Sequence, residues 1–385
     1  MCDMEEDKLK PNTFAVLVTA VLLAGLVAGA SPLASEPDVI RVPEDYVQIQ
    51  QAIDDANPGD IIHVAAGTYF ENLRIRKPLM LIGEGLGKTV VTQTGTVVSV
   101  EADNVEIRGF SVQDGTYGIF LWYCSGILLR DNNMSGNTWN FGVWGDSVSQ
   151  FVHDIDSSNI VDGKPIYFWV NQHGKQVPED AGYVALINST NITVKNMNLT
   201  SNEQGVLLVQ TSNSTIENVA VSRNDGGIDL RWSHNNTIRK NHLARTRWRA
   251  VFLQDSCNNT FYANTLFNNT YGLSIQRSSG NTFYHNNFIN NSDQLYVEIS
   301  QNIWHNEAQE GNYWSDYTGE DVDGDGVGDT DLPWQDVDYY PLMNIYEEEP
   351  PKSSLPPSWW IRVVGFGAAV IIITAGFWRY KCSRK

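Results

Sequence analysis

The densest run of potential ligand atoms in this 385-residue sequence is Asp321-Val-Asp-Gly-Asp-Gly-Val-Gly-Asp-Thr-Asp331. Carboxylates at positions 1, 3, 5 and 9 of such a loop, with glycine at position 6, match the spacing of an EF-hand-type calcium loop, in which alternate residues of a tight turn aim their oxygens inward. The ligands read this way are Asp321, Asp323, Asp325, the Val327 carbonyl, Asp329 and Asp331, holding a structural Ca2+. Position 12 departs from the pattern: Leu332 replaces the bidentate acid, so Asp331, Asp336, Asp338 or a water has to complete the coordination. Copper is not expected. The histidines (His63, His153, His173, His234, His242, His285 and His305) form no HxH, and there is no CxxC or Met-rich cluster.

A second constellation lies in four runs that share one template: Gly205-Val-Leu-Leu-Val, Gly227-Ile-Asp-Leu-Arg, Ala250-Val-Phe-Leu-Gln and Gly272-Leu-Ser-Ile-Gln. Their second and fourth residues are apolar and share one face of a strand, which leaves the intervening residues on the other. Aligned, the outward positions form the columns Asp229, Phe252, Ser274 and Arg231, Gln254, Gln276, with Trp232, Asp255 and Arg277 at the strand ends. A face carrying Asp229, Arg231, Trp232, Gln254, Asp255 and Gln276 has the chemistry to bind a polysaccharide. Asp229 and Asp255 form a conceivable acid/base pair, since glycosidases need two carboxylates. Arg245, Arg247 and Arg249 on an adjoining turn could neutralise uronic acids. The competing reading is an ordinary solvated face with internal ion pairs. No catalytic residue is assigned. Trp139, Trp144, Tyr167, Phe168 and Trp169 are read as packing a hairpin rather than stacking on sugars.

The elements that position these residues follow from a repeat. Ile107, Leu129, Val194, Ile216, Ile238, Phe261 and Phe283 recur about every 22 residues, each followed five positions later by another apolar residue. A period this short, built of extended runs separated by Asn, Ser, Thr and Gly, is the signature of a solenoid whose units bury their apolar faces only by stacking. The fold class expected is all-β: a right-handed parallel β-helix over 36–310. Asn196, Asn218, Asn241, Asn264 and Asn286 are read as one turn column, and Asn202, Asn224, Asn268 and Asn290 as another, with amides bonding along the axis. The gap from Leu129 to Val194 holds an insert at about 146–181, part of it a loop or hairpin. Val47 to Ala56 predicts a helix covering the first coil, and 311–346 a C-terminal cap carrying the Asp-rich loop.

A formal net charge of −19, with no basic stripe, argues against nucleic acid as a partner. Residues 1–35 read as a signal peptide or N-terminal anchor. An acidic, Pro-rich stalk at 347–358, an apolar span at 359–378 and a basic tail at 379–385 predict a single-pass C-terminal membrane anchor, with the body on the extracellular face. Cys124 and Cys257 lie at least four coils apart, too far to pair with each other, and read as buried thiols. Nine sequons (Asn133, Asn188, Asn191, Asn198, Asn213, Asn235, Asn258, Asn268 and Asn290) make glycosylation an expectation for an exported chain, although the turns themselves call for Asn.

Three stretches resemble a known family: Ile40 to Glu84, Gly163 to Val194, and Gly311-Asn-Tyr-Trp-Ser-Asp-Tyr through Asp338-Tyr-Tyr-Pro-Leu342. They are similar to archaeal surface proteins built on the NosD-like, carbohydrate-binding-and-sugar-hydrolase type of β-helix. The resemblance implies fold and export but no particular activity. The function expected is that of a cell-surface or envelope protein contacting glycans or other envelope proteins. The alternatives are a polysaccharide lyase or hydrolase, and a metal-delivery or assembly factor for an exported enzyme.

Overall fold

The structure, a computed structural model, describes residues 36–347. The leader or anchor at 1–35, the stalk beyond Glu347, the span at 359–378 and the basic tail lie outside the described residues. Among those described, no helix is long and apolar enough to cross a membrane.

The chain winds as a parallel β-solenoid. Ile107 pairs with Leu129, and Val194, Ile216, Ile238, Phe261 and Phe283 pair in succession from coil to coil. All are essentially buried, each contributing about 1.5–3 kcal/mol of apolar burial. The expected helix is Ile49–Asp55, with Ile49, Ala52 and Ile53 turned into the core. Its first amides donate to a carboxylate of the next coil, Ile49 and Gln50 N–H to Glu71 at 3.0 and 2.9 Å. At the other end the core becomes aromatic. Phe261, Phe283 and Trp304 stack in one file and Phe288, Trp314 and Trp334 in another, with ring centroids 3.7 to 4.9 Å apart.

The asparagine columns differ from expectation by one position. The buried ladder runs Asn241, Asn264, Asn286, Asn312: each amide donates to the next Oδ1 at 2.9 Å. Asn196 and Asn218 belong to the neighbouring, exposed column. The other ladder runs Asn202, Asn224, Thr246, Asn269, Asn291, whereas Asn268 and Asn290 occupy the exposed left-handed turn just before it. The 23-residue coil from Ile238 to Phe261 shifts the second column by one, whereas Asn218 and Asn241 are 23 apart across a coil of 22, from Ile216 to Ile238, and so occupy neighbouring turn positions.

The long gap contains further coils. Ile155 pairs with Leu129 at a spacing of 26, because the turn at 145–153 is enlarged. Ile160–Val161 then forms an antiparallel hairpin with Lys164–Val170, and that strand runs parallel to Tyr183–Ile187. The hairpin displaces the second half of the solenoid. The sheet made of Leu73–Ile75, Thr96–Val100, Tyr117–Trp122 and Trp139–Trp144 stops there, while a twelve-stranded sheet carries on through Tyr183–Ile187, Val206–Val209, Ile228–Arg231, Arg249–Gln254 and Tyr271–Gln276. As a result Tyr183, Ala185, Leu207 and Val209, which face away from the second core, pack into the first. Cys124 is a free, buried thiol, pushed up to about 12 chiefly by burial. Cys257 is buried but disulfide-bonded, so the expectation of a thiol there does not hold.

Candidate functional site

The most concentrated chemistry sits at this joint. The last strand of the first half, Trp139–Trp144, is met by the turn at 201–204: Asn140 N–H donates to the Ser201 carbonyl at 2.6 Å and Glu203 N–H to the Phe141 carbonyl at 2.9 Å. Only glycine permits this approach at position 142, because a Cβ there would lie 2.5 Å from Cβ of Glu203. The coil that follows Ile238 is the long one, with 23 residues to Phe261; Arg247 and Trp248 lie in its turn and Arg249 begins the strand that follows. Trp248 N–H donates to the Asp225 carbonyl at 2.8 Å, which places the turn over the coil carrying Asp225 and Asp229.

Two features result. The first is a row of indoles. Trp122 stacks on Trp144 with centroids 6.5 Å apart, and Trp144 on Trp248 at 6.0 Å, with interplanar angles of 16° and 26°. Trp122 and Trp248 are 42% and 37% exposed. The second is a charged notch beside the row, lined by Trp144, Glu203, Asp229, Trp248, Arg249 and Phe252 among others. To the centre of a water-sized sphere it offers about 20 Å3. That volume suits one small group or water, not a sugar ring.

The charges in the notch are largely paired. Arg231 donates through Nε and Nη2 to Asp229 at 3.0–3.2 Å and through Nη1 to the Gly145 carbonyl at 3.0 Å, and its guanidinium lies 4.3 Å from the Trp144 ring centroid. Arg247 pairs with Asp225 at 3.2 Å. Glu203 is 4% exposed, and its Oε2 has no hydrogen-bond partner. Burial, reinforced by the negative charges of Asp229 and Asp225 and opposed by Arg231, holds its carboxyl well above the usual range. Burial also raises Asp225, against the pull of Arg247.

The columns read from the sequence are real: Asp229, Phe252 and Ser274 pair in register, as do Arg231, Gln254 and Gln276. Their setting is not the flat solvated face expected. Asp229 and Arg231 are only 6% and 2% exposed, because the end of the first half lies across them. Asp255 stands apart in a half-buried left-handed turn, paired with Arg277 at 2.8 Å, so Asp229 and Asp255 do not make an acid/base pair. Trp232 is half-buried against Phe151, and Gln254 and Gln276 are half-buried on later coils. Glu203, Asp225 and Trp122 were not among the residues singled out from the sequence.

In the C-terminal cap, Asp321, Asp323 and Asp325 can each bring one oxygen within 4.8 Å of the others, and no other such cluster occurs among the described residues. Asp329 accepts from Val322 N–H at 2.7 Å and sits against the same loop. Asp338 is not available to complete the coordination. It is fully buried and accepts from Trp314 Nε1 at 2.9 Å and from Asn312 and Tyr340 N–H. Asp331 and Asp336 are exposed in left-handed turns.

A parallel solenoid with this joint defines the class: a β-helix protein. Residues 152–319 match the family model described as periplasmic copper-binding protein (NosD). Over that stretch, less than half of its length, the chain is similar to the NosD family, in keeping with the resemblance. It is also similar to a cell surface glycoprotein of Methanothermus fervidus, 28% identical over 129 residues, or 33% of this chain and 21% of that one. The match spans about a fifth of that relative's length. Among solved structures it is similar to the A-module of an Azotobacter vinelandii mannuronan C-5 epimerase (TM-score 0.31, 18% identity, 67% of this chain and 72% of that one). It is similar as well to a Paenibacillus alginate lyase (TM-score 0.29, 15% identity, 69% and 99%). At these scores neither likeness bears on what the chain does.

The NosD description raises copper, and the residues present do not fit it. His153 is buried, its Nδ1 accepting from Ile127 N–H. His234 accepts from Cys257 N–H and His285 is bonded to Glu310. The one carboxylate cluster among the described residues is a hard-oxygen set, which does not suit copper.

Proposed function

We propose that this is a cell-surface β-helix protein that binds glycans along the Trp122, Trp144, Trp248 row without cleaving them. The observation that carries the reading is the row itself: three near-parallel indoles with centroids 6.5 and 6.0 Å apart, of which Trp122 and Trp248 keep 42% and 37% of their surface open to solvent. Indoles left open to water lose the benefit of burial, and sugar rings are the ligands that use such faces while keeping their hydroxyls solvated. Support for the location comes from the name of the Methanothermus relative and from the word periplasmic in the family description. The same reading includes a C-terminal span at 359–378 as membrane anchor, Ca2+ held by Asp321, Asp323, Asp325, Val327, Asp329 and Asp331, and glycans on some of the exposed sequons.

The test is a glycan array probed with the purified full chain, native and with Trp122→Ala and Trp248→Ala. Specific binding that falls at least tenfold in both variants is the expected result. Binding unaffected by either substitution, or none at all, would overturn the reading. Turnover of any bound glycan would transfer the protein to the polysaccharide-active alternative, with Glu203 and Asp225 rather than Asp255 as the carboxyls to test.

A further inference from the structure

The three arginines at the joint are not equivalent. Arg231 is matched by Asp229 and Arg247 by Asp225. Arg249 has no carboxylate within salt-bridge distance among the described residues. Its guanidinium is instead held over two rings, 3.7 Å from the Trp248 centroid and 4.1 Å from that of Phe252. It is half-buried, and desolvation works against its charge, with Arg231 adding to that and Asp229 opposing it. A half-buried guanidinium held against two aromatic rings, with no carboxylate on its fork, is suited to receive a planar anion in bidentate fashion. The notch admits a group the size of a carboxylate but not a ring.

We infer that the glycan is acidic: a uronate ring lies across the mouth of the notch on Trp144 and Trp248, with its carboxylate entering to meet Arg249 and its neighbouring hydroxyl reaching Glu203. This rests on the proposed glycan-binding reading and adds the ligand's charge to it. Of the charged groups that line the notch, Asp229 is paired with Arg231 behind it, and Arg249 is the guanidinium with no carboxylate partner among the described residues, on a chain whose formal net charge is −19. The distant negative charges are screened beyond about 10 Å at moderate salt, whereas Arg249 acts at contact. Oε2 of Glu203, buried and without a partner, is the group left over once the other carboxyls are paired, and a ligand hydroxyl would satisfy it.

The experiment is calorimetric titration of the full chain with tetrasaccharides of galacturonate, glucuronate and mannuronate, each beside its carboxyl-reduced neutral counterpart and a sulfated neutral tetrasaccharide. At least one uronate should bind tenfold or more tightly than its reduced form, a difference of about 1.4 kcal/mol. Arg249→Gln should remove the preference for the acidic ligand over its reduced form, and Trp248→Ala should weaken both. Changing the ligand's own carboxylate keeps the test valid even where Arg249→Gln does not fold. Equal binding of acid and reduced forms would overturn the inference and leave glycan binding standing. Preference for the sulfated sugar would overturn the carboxylate assignment. Absence of binding to any sugar would overturn both readings.

Discussion

The side-chain amide of Gln204 donates to the carbonyl oxygen of Val143 at 2.8 Å, joining residues 61 apart in the chain. This bond, with Glu203 N–H to the Phe141 carbonyl, closes the end of the first sheet against a turn of the second half. The functional residues gather here because the stacking is interrupted. An unbroken solenoid would place another strand where Glu203 and Gln204 lie.

Gly142→Ala tests that joint. The added Cβ meets Glu203 Cβ and the Phe120 ring, neither of which can retreat without moving its strand or turn. Overpacking of this kind costs about 1–3 kcal/mol. Chemical denaturation should show that loss, and glycan affinity should fall with it. Unchanged stability would mean that the joint is looser than described.

Asn264→Ala tests the buried ladder. Asn264 donates to the Ile238 carbonyl at 2.8 Å and to Asn286 Oδ1 at 2.9 Å, and it accepts from Asn241. Its removal strands at least one or two buried partners at 1–3 kcal/mol each, so a loss of roughly 3 kcal/mol is expected. Asn268→Ala, one turn column away and exposed, should cost much less. Equal effects would show that the two columns are wrongly separated.

Much of this was legible in the sequence, and the rest failed for identifiable reasons. The period gave the register, down to the pairing of Asp229 with Phe252 and of Arg231 with Gln254. It did not give what covers that face. The signal for cover was nevertheless present: Tyr183–Ile187 and Val206–Val209 are apolar at nearly every position rather than at alternate ones, the mark of strands buried on both faces. Ile155 was missed because its spacing from Leu129 is 26. Glu203 was missed because a carboxylate in a polar turn reads as solvated until the packing partner, Trp139–Trp144, is known. The extra residue before Phe261 was visible as a number, but its outcome, a turn bearing Arg247 and Trp248 that leads into the strand at Arg249, was not.

His153 predicts an acid-sensitive term. Its ring is buried against Phe168, and burial lowers its pKa to about 4, opposed by the Gln150 backbone and then by Asp103. Between pH 6.5 and about 4 the unfolded chain takes up a proton that the folded chain refuses. The contribution is therefore full above pH 6.5 and lost as pH falls, by about 3 kcal/mol in all. Glu203 acts in the opposite sense, since its raised pKa makes stability fall as pH rises past the ordinary carboxylate value. The difference between the native protein and His153→Phe isolates the histidine. It should shrink by about 3 kcal/mol across that window, and a difference independent of pH would contradict the assignment.

Calcium should stabilise the cap. At a hundredfold excess over its dissociation constant a ligand contributes about 2.7 kcal/mol, or about 5 °C in melting temperature for a domain of this size. Chelation should remove that increment from the native protein. Asp321→Asn with Asp323→Asn should abolish it, because these residues and Asp325 form the carboxylate cluster. Equal melting temperatures with and without calcium would make the loop a turn held by its own Asp-to-amide bonds.

The sequon column Asn191, Asn213, Asn235, Asn258 projects from successive coils in left-handed turns. At about 4.8 Å per coil, neighbouring glycans in this column do not fit side by side. Glycopeptide mapping should find no molecule modified at two adjacent members, and adjacent full occupancy would contradict the stacking described.

The most direct measurement is an experimental structure of the full chain with the tightest-binding oligosaccharide from the array. Sugar rings should lie over Trp122, Trp144 and Trp248, with one acidic substituent in the notch at Arg249. A sugar bound on another face, or a row of indoles left bare in its presence, would contradict the assignment of this joint as the functional site.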